Sequence, residues 1–268
     1  MPYGEKGKGD VKMDAAVNLK EQPDIKTLLY VLGSSGMEKE QQEVETLVDY
    51  LESMGSQFSQ MLEELQAVRK ELVKMQDKGI RAAVSRIAER AENRTQEIWG
   101  RISMIGKNLV RSAKNAVAAF KEKGVDALRK AVSAMKIPQV LSAVKSMMHH
   151  GAEKMNGKAE KTQMLAQELH KAKEHRRNVG RILTGRRAKE PTEQGDGKGI
   201  LAKVQGVFLA CGKIYAGMEQ KAERALNHVE KFCRGTEKKP SVKADLRQLT
   251  GRKSEKQSAQ LAKQEQTR

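Results

Sequence analysis

Apolar side chains recur along this chain at intervals of three and four residues, the spacing that lines one face of an α-helix. The pattern is longest at Val44, Leu47, Leu51, Met54, Phe58, Met61, Leu65, Val68, Leu72 and Met75, ten a/d positions without a polar interruption. A helix in an irregular core carries a broader stripe, so this regularity predicts a coiled-coil heptad seam in a rod or a helical hairpin. Beyond Gly79 the register changes. Ile87, Ile98, Leu109 and Phe120 recur every 11 residues beside Ile80, Ala91 and Ile102, a period that relaxes the left-handed supercoil. After Pro138 the 3/4 spacing returns from Leu141, Val144 and Met148 to Leu183, with Gly151, Lys158, Thr162 and Arg176 in seam slots. A third seam runs Leu201, Val204, Phe208, Cys211, Tyr215, Met218, Ala222, Ala225, Val229, Phe232.

Punctuation between the seams divides the chain. Residues 1–22 have no periodicity and balanced charge, which predicts a disordered arm. Residues 23–36 form a short helix and turn: Pro23 suits the first helical position, Ile25, Leu28, Leu29 and Leu32 share a face, and Gly33 supplies the stop. Ser35 with Glu38 fits a capping box. Residues 37–137 form a long helical segment, acidic and then basic, with Gly124 interrupting it and residues 125–135 making a short amphipathic helix. Residues 138–184 are a basic helix, and 185–199 a linker, with Gly185, Pro191, Gly195, Gly197 and Gly199. A helix over 200–234 follows, then a short helix and disordered tail over 235–268. The predicted fold class is all-α: long amphipathic helices with coiled-coil heptad seams, elongated or hairpin-like, with disordered termini.

Composition agrees. Only nine of 268 residues are aromatic, too few for the bulky cores of sandwiches, barrels or doubly wound sheets, while Ala, Lys, Glu, Gln, Met, Leu and Arg lose little entropy in a helix. The N-terminus has no apolar h-region and no run of 18 apolar residues occurs, which leads us to expect a soluble, cytoplasmic protein. Cys211 and Cys233 would lie about 33 Å apart on one helix, too far to pair with each other.

Charge changes the picture more. The net +17 is unevenly spread. Residues 37–78 carry 5 basic and 10 acidic side chains, whereas 79–190 carry 25 and 10. Within that region Arg86, Arg90, Arg94, Arg101, Lys107 and Arg111 fall on a face flanking the apolar one. Three readings suit such a face: a solvated surface partly offset by Glu89, Glu92 and Glu97, a footprint for the phosphates of nucleic acid, or a surface for anionic lipid or an acidic partner. Trp99 is the one aromatic near it, so base stacking has little support and nucleic-acid binding would be sequence-tolerant.

Site chemistry finds little purchase. His149, His150, His170, His175 and His228 do not complete a ligand set, so no metal site is expected. Gly195-Asp196-Gly197-Lys198-Gly199 lacks a preceding strand and phosphate-loop spacing, and no nucleophile or dinucleotide fingerprint occurs. Neither an enzymatic activity, a cofactor nor a small-molecule substrate is expected.

The blocks Leu47–Phe58 (LVDYLESMGSQF), Lys114–Val132 (KNAVAAFKEKGVDALRKAV) and Pro240–Leu249 (PSVKADLRQL) resemble an uncharacterised family of helical proteins carried on integrative and conjugative elements of Gram-positive, often gut, bacteria. The resemblance runs from about Pro23 to Leu249. It implies a cytoplasmic location and a mobile-element context, and it assigns no residue a role. The leading expectation from the sequence is a non-enzymatic interaction protein. It would self-associate, or dock a partner's helix, through the ten-residue seam from Val44 to Met75. Polyanion binding through the six α-helical cations is the alternative, and peripheral association with an anionic membrane through the same stretch is the weaker one.

Overall fold

Several apolar seams on one chain must find one another to leave water, and antiparallel packing of consecutive helices is the shortest way to do it. The computed structural model describes residues 18–190 and 199–235, with side chains in the last helix described only as far as Lys231. The chain divides into two compact units, residues 1–227, which hold the helical bundle, and 228–268, of which only the helix end at 228–235 is described. A single 3-10 turn at Leu19–Glu21 precedes α1 (Pro23–Ser34), α2 (Glu38–Leu72), α3 (Lys78–Lys123), α4 (Val125–Ser133), α5 (Ile137–Leu183) and α6 (Ile200–Gly235). No strand occurs among the described residues.

The helices α2, α3, α5 and α6 run up-down-up-down. In the α2–α3 hairpin, Arg69 pairs with the nearly buried Glu92 at 3.0 Å, and Phe58 packs on Trp99 with ring centroids 5.3 Å apart. The α6 helix returns antiparallel to both α2 and α5. The Tyr50 hydroxyl donates to the Met218 carbonyl at 3.1 Å, Lys145 pairs with Glu223 at 3.1 Å, and Gln205 reaches Gln163 at 3.1 Å. At the centre, Tyr215 lies edge-on to Phe58 at 5.9 Å and donates its hydroxyl to Thr95 Oγ1 at 3.2 Å. Burial raises the Tyr215 hydroxyl to about 12 and the Cys211 thiol to about 12, and pushes the Tyr50 hydroxyl up as well. By length and composition the stretch Ile200–Lys231 could cross a membrane. Within it Val204, Phe208, Cys211, Tyr215, Met218 and Ala222 are buried in the bundle core, while Leu209 is 41 % exposed.

The connections are built by backbone chemistry. After α1, Gly36 adopts φ 67° and the Met37 amide bonds to the Leu32 carbonyl at 3.0 Å while the side chains of both residues are buried. This is a Schellman ending with its apolar contact. The α2–α3 turn ends at Asp77, whose carboxylate accepts from the amides of Gly79 and Ile80 at 2.9 and 3.0 Å, satisfying two of the orphan donors of a helix start. Gly124, at φ 75°, separates α3 from α4.

Several sequence-based boundaries need correction. Within the arm predicted over 1–22, the described residues 18–22 are structured: Leu19 is buried against Gly106 of α3, and Lys20 pairs with Asp49 at 2.8 Å. The stop of α1 is Gly36 rather than Gly33, and Ser35 caps the end of α1 instead of forming a capping box, Met37 being the N-cap of α2. The seam overshoots by one position, since α2 ends at Leu72 and Met75 lies in the turn. Over 37–137 the choice left open between rod and hairpin falls to the hairpin, which folds back at 73–77. On α3 the buried row is Val84, Ala88, Ala91, Thr95, Ile98, Ile102, Gly106, Leu109, Ala113 and Ala116. This is mostly a 3/4 seam of small residues, of which the 11-residue reading caught Ala91, Ile98, Ile102 and Leu109 and missed the rest. The predictions for residues 1–17, for 191–198 of the linker, for Phe232 and Cys233, and for 236–268 lie outside the described residues.

Candidate polyanion-binding groove

The α2 seam faces inward. Val44, Leu47, Leu51, Met54, Phe58, Met61, Leu65, Val68 and Leu72 are each at most 4 % exposed, and only Met75 is half-buried. Their apolar surface is occupied by the chain's own helices, so association through this seam would require the bundle to open. The same holds for the apolar face of α3, where Ile98, Ile102 and Leu109 are buried. Insertion of that face into a membrane would likewise cost the core.

The six cations read from α3 divide into three groups. Arg94 and Arg101 clasp Glu97 at 2.6 and 2.7 Å. The Arg86 guanidinium donates to the Ala82 carbonyl at 3.3 Å on an exposed surface, and Lys107 and Arg111 are exposed farther along. Arg90 instead meets α5. Between these helices runs a groove of about 350 Å³ lined by Ile87, Arg90, Glu153, Lys154, Gly157, Lys158 and Lys161. Helical geometry explains the rows, because residues 90 and 94 on α3 and 154, 158 and 161 on α5 are three or four apart and project side by side.

Lys158 is the distinctive member. It occupies a slot of the α5 seam between Met155 and Thr162, both buried, while Ala159 turns into the core beside it. Its stem is half-buried and its ammonium donates to the Lys154 carbonyl at 3.5 Å. Burial first, and then the charges of Lys154, Lys161, Arg94 and Arg90, hold its pKa below the usual lysine value. A cation so placed is costly in the free protein, and an anion in the groove would relieve that cost. The single carboxylate on the groove wall, Glu153, is already shared with His149 at 3.6 Å and His150 at 3.5 Å. Lys154, Lys158 and Lys161 were not singled out from the sequence. The available signal was a lysine standing in an otherwise apolar 3/4 row.

Trp99, the one aromatic near the α3 cations, is half-buried on Phe58 and offers no stacking platform. Among the described residues no three His, Cys, Asp or Glu side chains gather to hold a metal ion.

Fold and groove together define an all-α bundle with a cationic inter-helix surface. Its sequence matches a family model over residues 21–268, and the chain belongs to that family of unknown function, DUF6674. No curated protein and no solved structure matches it.

Proposed function

We propose that this is a non-enzymatic binding protein that engages the phosphate backbone of nucleic acid in the α3–α5 groove, without reading bases. One observation carries the reading: Arg90, Lys154, Lys158 and Lys161 line one groove against one carboxylate, with Lys158 held in a place that costs it solvation. Backbone contact needs only clustered cations, and the missing aromatic platform argues against base recognition. Association through the α2 seam ranks below this because the seam is occupied. We place the protein in the cytoplasm, where an unpaired, buried thiol such as Cys211 persists. By resemblance alone, its setting is an accessory role on an integrative or conjugative element.

Fluorescence anisotropy on labelled DNA duplexes of two unrelated sequences tests the proposal. The wild-type chain should bind both with similar affinity at low salt, and Lys154→Glu with Lys161→Glu should weaken both by at least about tenfold. No binding by the wild type, or equal binding by the variant, would contradict it.

A further inference from the structure

The α5 helix outlasts its neighbours. Its last buried residue is Thr162, and Leu169, His170 and Lys173 line a cleft with residues 74–77 and 199–202, the level at which α2, α3 and α6 end or begin. Ten further residues extend it about 15 Å past that level. The tip is a built structure. Gly185 at φ 73° ends the helix with the Arg186 amide on the Arg181 carbonyl at 2.9 Å, and the chain folds back. Asn178 then holds Lys189 by both backbone groups, its side-chain amide donating to the Lys189 carbonyl at 2.6 Å and its oxygen accepting from the Lys189 amide at 3.0 Å.

The returning segment is held on the Asn178 side. Beside it Val179, Ile182 and Leu183, spaced as neighbours on one helix face, stay 56, 61 and 81 % exposed. From residue 175 to 189 there are six Lys or Arg side chains and no carboxylate. Interfacial membrane contact needs both parts, apolar side chains for the acyl boundary and cations for lipid phosphates.

We propose that the tip of α5 docks on an anionic lipid surface, with Val179, Ile182 and Leu183 entering the headgroup boundary and the surrounding arginines meeting phosphates. Charge decides the occupant. A second copy on this face would set six cations against six, an uncharged partner helix would leave the arginines unanswered, and nucleic acid would leave the three apolar side chains in water. The site is separate from the groove and stands without it.

The test is co-sedimentation of the full chain with vesicles of phosphatidylcholine alone or mixed with phosphatidylserine. Wild-type protein should pellet with the mixed vesicles, at least tenfold more strongly than with the neutral ones, and release as salt rises. Ile182→Asp with Leu183→Asp should abolish pelleting while melting and duplex binding stay unchanged, since both positions are exposed. Lys154→Glu with Lys161→Glu should leave pelleting intact. Equal pelleting by the tip variant would overturn the proposal. So would a wild-type dimer in sedimentation equilibrium that the tip variant dissolves, or loss of duplex binding in place of vesicle binding.

Discussion

Gly151 has no side chain because Tyr215 occupies the space one would need: a Cβ there would sit 2.6 Å from the ring. Tyr215 cannot give way, being fully buried between Phe58 and Thr95. Gly100 is also in mid-helix, but nothing lies within 4 Å of its would-be Cβ. The same substitution should therefore have opposite signs. Gly151→Ala should cost about 1–3 kcal/mol by overpacking, and Gly100→Ala should gain about 0.5–1 kcal/mol from helix propensity, both read from urea unfolding. At this scale the sequence was legible where a residue type has one physical use. Pro138 and Gly124 marked real boundaries, whereas the stop of α1 was read at Gly33 and the positive φ falls at Gly36. Lys158 was visible as an anomaly in its seam, but its four cationic neighbours come partly from another helix and have no local signature.

Among the elements, α2 and α6 were read from their 3/4 rows because large apolar side chains made the stripe visible. The α3 stripe was read only in part because Ala88, Gly106, Ala113 and Ala116 bury as fully as isoleucine while contributing little hydropathy. The hairpin turn at 73–77 contains neither Gly nor Pro and is closed by one carboxylate, so the pattern ran through it. The α6 core also has a chemical consequence. Cys211 and Tyr215 on α6, and Tyr50 bonded to it, have folded-state pKa values above their ordinary ones through burial. The unfolded chain therefore loses these protons first as pH rises, and the stability they confer is complete below about 9 and falls away towards about 12. Thermal melting followed from pH 8 upward should decline across that window, and Cys211→Ala should flatten its lower end. A melting temperature constant to pH 11 would contradict this.

Over the whole chain, the sequence separated an acidic 37–78 from a basic 79–190, a polarity open to either internal packing or an external polyanion. The ion pairs between and along these helices do not follow it: Arg69 of α2 answers Glu92 of α3, against the polarity, and Glu97 ties Arg94 to Arg101 within the basic segment. Part of the basic excess lines the α3–α5 groove and the α5 tip, surfaces that depend on which helices become neighbours. A cation kept at a half-buried seam position against four like charges is a stability cost that ligand binding can explain. The most direct measurement follows duplex affinity against salt for the wild-type chain and for Lys154→Ala with Lys158→Met and Lys161→Ala. The logarithmic slope should become shallower by about 2–3, near 0.9 for each phosphate the variant no longer neutralises, while the melting temperature stays equal or rises. An unchanged slope, or a slope lost only because the variant unfolds, would contradict a functional groove.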